Sequence, residues 1–301
     1  MQEQLRDRLG ESLWRLVTAV GTPLVRADEI TVVPANGMPR TYRLWFEGGR
    51  TLKGRCFRTS ALAEVAWRIH KTAAAPFLAR VVSHDAEAML EEWVEGENLV
   101  EGHVGHRCVR EAGRMLGTLH CCPPPATDDI AFRPLDARGW IRKTEANLRT
   151  LRDRGVVSPE CADRLQRLAM SHLPVRATLG VVHRDLCPEN LIRDARHRLV
   201  SVDNGSLTIG TIEEDLCRVW YRWPMTADER AAFIDSYQEY RDAEGFSQPP
   251  VFWVVVVIVN SARARLGLTA TAAAAALQRL DQFLSETQAD RWASGPGGAS
   301  A

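Results

Sequence analysis

The run Val181–Ile192, VVHRDLCPENLI, holds the side chains best suited to chemistry. An apolar stretch leads into His183-Arg184-Asp185, and Asn190 follows five residues after Asp185. A second short stretch, Val200-Ser201-Val202, leads into Asp203. Three oxygen-bearing side chains, Asp185, Asn190 and Asp203, therefore sit at the ends of two short strands close in sequence. Hard Mg²⁺ takes a few oxygen ligands and completes its shell with phosphates and water. Asn190 and Asp203 suit that task. Asp185 suits accepting a proton or orienting a nucleophile.

These loops need strands and helices to hold them. Residues 3–20 carry Leu5, Leu9, Leu13, Leu16 and Val17 at three-to-four spacing, which predicts an amphipathic helix. Extended stretches follow at Glu29–Pro34, Arg40–Glu47 and Arg50–Cys56, with Asn36-Gly37 and Gly48-Gly49 as hairpin turns. Thr59 or Ser60 caps a helix running to about Lys71, with Glu64 inside it. Strand-like runs recur at Leu78–Ser83 and Ala88–Val94. Beyond residue 100 the pattern turns helical: 107–121, 138–154, 158–171, 213–222, 226–242, 249–266 and 270–288. Only Thr178–Val182 and Leu199–Val202 interrupt it as short strands. The expectation is an α+β fold with a small antiparallel sheet over residues 1–97. A mainly helical part follows over 98–293, then a disordered tail over 294–301.

Composition narrows the function classes. The 301 residues carry 38 basic and 38 acidic side chains, so nothing demands a nucleic-acid partner. The longest apolar run, Val251–Val259, is too short to span a bilayer, so no membrane partner is expected. Seven cysteines without a Cys-x-x-Cys pair point to free thiols in a reducing cytoplasm. Lysine is scarce, limited to Lys53, Lys71 and Lys143, so each one kept has a greater claim to needing an ammonium.

HRDLCPEN, with Asn five residues after Asp and a later Asp after a further strand, resembles the catalytic loop of the protein-kinase-like superfamily. That resemblance implies a bilobal fold. It makes Lys53, at the end of the third strand, the phosphate-binding lysine, paired to Glu64 on the following helix. Arg55, Arg58 and Lys71 are the alternatives to Lys53. Leu90–Leu99 resembles the hinge of the aminoglycoside-phosphotransferase and choline-kinase branch, where backbone groups around Glu92, Trp93 and Val94 meet the nucleotide base. His183 and Asp215 would then support the catalytic loop.

Within the superfamily, Cys187 replaces the lysine that protein Ser/Thr kinases place two residues after the catalytic Asp. Asp215 follows Asp203 by only 12 residues, and no A-P-E turn occurs, so little chain remains for a peptide platform. The chain is more similar to the aminoglycoside-phosphotransferase and choline-kinase family. It departs from that family at Arg184, where Gly is commoner, and in having one glycine in the turn Pro34–Pro39. The implied activity is transfer of the γ-phosphoryl group of ATP or GTP, with Mg²⁺, to a small-molecule hydroxyl. Expected acceptors are aminoglycoside-like or other antibiotics. Choline, homoserine or a sugar is the alternative, and a nucleotide-binding pseudokinase scaffold a further one. For a cationic acceptor, Glu213, Glu214, Asp235 and Glu239 are the candidate amine-binding acids. Trp220, with Tyr221 and Trp223, is the candidate aromatic wall.

If Asp185 is the base, Asp185→Asn should lower kcat by roughly 10²–10⁴-fold, the usual worth of general-base help. An unchanged kcat would remove Asp185 from that role.

Overall fold

The computed structural model describes residues 2–31, 40–73, 75–100, 105–174, 177–241 and 251–278. The turn expected over residues 34–39 lies outside the described residues. By contact density the chain divides into two compact units, residues 1–134 with 178–248 and residues 135–177 with 249–301. The boundary expected at residue 97 separates sheet from helix and is a different division.

The first unit opens with α1 (Gln2–Leu9) and α2 (Glu11–Ala19). They replace the single helix expected over 3–20, because Gly10 between them adopts a positive φ of 76° that a continuous helix cannot contain. A five-stranded antiparallel sheet follows, built from β1 (Leu24–Glu29), β2 (Thr41–Phe46), β3 (Thr51–Cys56), β4 (Val81–Asp85) and β5 (Ala88–Glu92). Its spatial order is β1-β2-β3-β5-β4. The first strand lies five residues earlier than its expected place. LVRADE buries only Ala27, so this edge strand carries no apolar alternation and is fixed by pairing with β2. Helix α3 (Ser60–Thr72) begins where Thr59 accepts a hydrogen bond from the Leu62 amide at 3.3 Å.

Alternation on β3 makes the sheet two-sided. Leu52, with Leu44 and Leu90, joins the core under α1 and α2, where Leu13 and Val17 are buried. Lys53 and Arg55 leave from the opposite face. Both are buried, which neither charge would tolerate without partners.

The remainder of this unit carries α4 (His106–Cys121), α7 (Ile212–Arg222) and α8 (Ala227–Gln238) around two small sheets. One pairs β7 (Leu179–Val182) with β10 (Thr208–Thr211). The other runs β6-β8-β9, from β6 (Gly96–Asn98), β8 (Leu191–Asp194) and β9 (Leu199–Ser201). Strands β6, β8 and β10 escape sequence reading because three or four residues are too few to show a period. Helices α4 and α8 approach closely at Gly113, where an added Cβ would lie 2.4 Å from the Phe233 carbonyl oxygen.

The second unit holds α5 (Ala137–Asp153), α6 (Pro159–Ser171), α9 (Val251–Arg265) and a helical stretch over 270–278. In α9 the whole run Phe252–Val259 is buried. Its β-branched residues favour strand on propensity, but a segment apolar on every side is stable as a helix wrapped by others. Among the described residues no helix is long and apolar enough to cross a membrane. All seven cysteines are free thiols.

Candidate active site

Strand β7 ends at His183-Arg184-Asp185, and a carboxylate from α7 fixes the turn. Asp215 is completely buried. Its Oδ2 accepts the His183 amide at 2.7 Å, its Oδ1 accepts the Arg184 amide at 2.7 Å, and His120 Nε2 lies 3.1 Å from Oδ2. Those donors allow Arg184 a left-handed φ of 65°, which aims Asp185 away from the strand line. Burial alone would raise the Asp215 pKa. The hydrogen bond from His120 and the backbone donors outweigh it, and the carboxyl sits below its ordinary value.

His183 is also buried, and burial pushes its imidazole pKa down, so the ring is neutral near pH 7. Its Nδ1 accepts the Asp185 amide at 3.3 Å. The ring proton therefore belongs on Nε2, which faces Ser201 Oγ at 2.7 Å and Asn204 Oδ1 at 3.1 Å. Asn190 donates its Nδ2 to the Asp185 carbonyl at 2.9 Å and to Asp185 Oδ2 at 3.1 Å. Among the described residues no donor takes Asn190 Oδ1.

Asp203 follows β9 in a left-handed conformation, φ 56°. Arg55 Nη2 donates to its Oδ1, and Lys53 Nζ lies 3.6 Å from the same oxygen. Burial would raise Asp203, but Arg55 and Lys53 hold its carboxyl well below the usual carboxylate range. Burial pushes the Lys53 ammonium down, and neighbouring Arg55 adds to this, while Glu91 and Asp203 oppose it.

Glu64 does not reach Lys53. Its Oε1 takes Arg68 Nε at 2.6 Å, and its Oε2 lies 3.6 Å from His84. The inward face of α3 carries Ala63, Ala66 and Ile69, and Glu64 lies off that face. The buried acid near Lys53 is instead Glu91, directly opposite it in the β3–β5 register. Glu91 Oε1 lies 3.8 Å from His70 Nε2, so α3 contributes an imidazole where a carboxylate was expected. The missed signal was Glu91, the first charge after the apolar run Ala88–Leu90 and the register partner of Lys53.

A cleft of about 430 Å³ joins these groups. Lys53, Arg55, Asp185 and Asp203 line it together with Ala79, Glu92, Trp93, Val94, Ile192 and Val202. Trp93 and Val94 make no backbone–backbone hydrogen bond among the described residues. Among the described residues there is also no group of three His, Cys, Asp or Glu fit for a metal. The protein offers a carboxylate oxygen of Asp203 and the amide oxygen of Asn190. That hard, sparse donor set fits Mg²⁺ whose remaining ligands are phosphates and water.

Three of the four expected substrate acids are engaged elsewhere. Glu213 accepts from Thr178 N at 3.0 Å and Thr178 Oγ1 at 2.6 Å. Glu214 is buried between Arg184 (3.5 Å) and Arg218 (3.6 Å). Glu239 pairs with Arg114 at 2.8 Å, and Asp235 is exposed on α8. Tyr221 and Trp223 are buried in the core, with Trp220 packed against it. None of these lines the cleft. Sequence reading also missed Arg222, whose Nε lies 3.2 Å from Asp185 Oδ1.

The description of the phosphotransferase enzyme family matches residues 29–246. Choline kinase LicA from Streptococcus pneumoniae superposes with a TM-score of 0.67 at 12% identity, covering 95% of this chain and 99% of its own. The macrolide 2′-phosphotransferase of Brachybacterium faecium gives 0.61 at 15% identity, with coverage of 91% and 98%. Spectinomycin phosphotransferase, solved with ADP and spectinomycin, gives 0.58 at 12% identity, with coverage of 89% and 92%. No curated protein sequence matches the chain. The shared fold is α+β and protein-kinase-like, as the catalytic-loop resemblance implied.

Because Asp215 has a depressed pKa when folded, its contribution is full above the ordinary 3.8 and lost as pH falls through its lower folded value. Asp215→Asn should cost about 1–3 kcal/mol of stability near neutral pH, since its amide nitrogen cannot accept an N–H. Urea unfolding should show that difference shrinking in acid below the ordinary value. A pH-independent difference would mean that the carboxylate charge is not what holds the loop.

Proposed function

This chain belongs to the phosphotransferase enzyme family and is a small-molecule phosphotransferase; on that premise we propose that it transfers the γ-phosphoryl group of ATP or GTP to an acceptor hydroxyl. The observation that carries this reading is the single cleft shared by Lys53, Asp185, Asp203 and the Glu92–Val94 backbone.

In this reading Asp185 accepts the proton of the acceptor hydroxyl and orients its oxygen. Asn190 fixes the Asp185 carboxylate through Nδ2, so the base is held before the acceptor arrives. Lys53 meets the phosphates, with Glu91 and Asp203 keeping its charge compensated until they bind. The unpaired backbone of Trp93 and Val94 receives the base. Asn190 and Asp203 would hold Mg²⁺, which would supply charge neutralisation on the phosphates. A pseudokinase scaffold would have no use for a base so tightly positioned.

The acceptor follows less directly. An antibiotic and a metabolite such as choline, homoserine or a sugar are both compatible with the family. Three of the four acids expected to receive amines, Glu213, Glu214 and Glu239, are spent on Thr178, Arg184, Arg218 and Arg114, and Asp235 lies off the cleft. That disposition weakens the case for an amine-rich acceptor. Seven free thiols favour a reducing compartment such as the cytoplasm.

The test is a panel of aminoglycosides, macrolides, amino alcohols, sugars and hydroxy acids, each with ATP and with GTP in Mg²⁺. One class is expected to raise ADP or GDP release and to gain the mass of one HPO₃ unit. Incorporation into polypeptide alone, or no nucleoside diphosphate from any combination, would contradict the reading.

A further inference from the structure

The two cations on the nucleotide side, Lys53 and Arg55, both face Asp203 Oδ1. Neither is shown against Asp185. The one cation within ion-pair distance of Asp185, among the described residues, comes from the last turn of α7. Arg222 places Nε 3.2 Å from Asp185 Oδ1. Its Nη2 reaches Cys187 Sγ at 3.4 Å. A thiol sulfur is a weak acceptor, so that end of the guanidinium is poorly used. The Arg222 Nε is buried and makes no well-aligned hydrogen bond. The side chain is 28% exposed, and exposed Glu189 is the other acid whose charge it feels.

Resting on the phosphotransferase reading, we propose that Arg222 is a further catalytic residue that binds an oxyanion beside Asp185. A planar guanidinium with one nitrogen on a carboxylate and another on sulfur can exchange the sulfur for a phosphate or carboxylate oxygen in bidentate geometry. Phosphoryl transfer needs charge stabilisation toward the acceptor as well as at the leaving nucleotide. The acceptor oxygen forms a bond to the γ-phosphorus, the bond from that phosphorus to the β–γ bridging oxygen breaks, and the hydroxyl proton passes to Asp185. Negative charge moves toward the acceptor, where Lys53 and Arg55 are already committed to Asp203. The oxyanion is either the transferring phosphoryl group or an acid carried by the acceptor. In both cases an ammonium next to the reacting hydroxyl is disfavoured.

The test uses the full chain with MgATP alone, so that water is the acceptor, and compares wild type, Arg222→Lys and Arg222→Gln. Circular dichroism melts confirm that each variant is folded. If the phosphoryl group is the oxyanion, Arg222→Gln should lower ADP release by about 10²–10³-fold, the usual loss of one transition-state donor. Arg222→Lys should recover part of it. If an acceptor acid is the oxyanion, phosphate binding is the readout that shows it. Inorganic phosphate should then bind the Mg·ADP complex of wild type and not that of Arg222→Gln. Equal ADP release and equal phosphate binding in wild type and Arg222→Gln would overturn the proposal. Absence of both ADP release and ADP binding in wild type would instead overturn the phosphotransferase reading.

Discussion

A carboxylate shut away from water must have its oxygens filled by donors, or its burial costs more than a fold of this size can spare. Asp215 meets that condition with two backbone amides of the catalytic loop and one imidazole. The consequence runs outward. With His183 and Arg184 pinned, Arg184 is held left-handed and Asp185 leaves the turn in one direction. His183 then closes a second ring of contacts, to Ser201 and Asn204, on either side of Asp203. Asp185 and Asp203 are thereby tied to a common buried scaffold.

The cluster around Lys53 obeys a related constraint. Lys53, Arg55 and Glu91 are buried and Asp203 stands beside them, two charges of each sign. Buried charges of one sign would be intolerable; paired, each offsets part of the desolvation cost of its neighbours. The acid comes from β5 instead of α3, so the lysine is braced by sheet register and not by the placement of a helix. A register is fixed by the whole strand pair, whereas a helix can rotate or slide. The position of Lys53 therefore depends less on movement of α3.

The His183–Asn190 loop was legible because its spacing is fixed along one short run, and Asp185, Asn190 and Asp203 each follow a short strand or its loop as expected. Most helices were legible too, through the stripe they bury, including α4, α5 and α6. The errors share a physical origin. Glu64 was chosen by its place on a helix, but only packing decides which side of α3 faces the sheet. Glu91 and Arg222 meet their partners 38 and 37 residues away in sequence, across a strand register and a helix end that no local pattern encodes. The acids Glu213, Glu214 and Glu239 were read by type alone, and each proved to be needed by a neighbour in the fold.

The central claim is that Asp203 belongs to a shared metal and nucleotide site, and calorimetry of ADP binding with and without Mg²⁺ tests it most directly. Mg²⁺ should tighten ADP binding in the wild-type chain by about tenfold, roughly 1.4 kcal/mol of coupling, and Asp203→Asn should abolish this coupling. Equal coupling in both proteins would contradict it, as would a wild-type chain whose affinity for ADP ignores the metal.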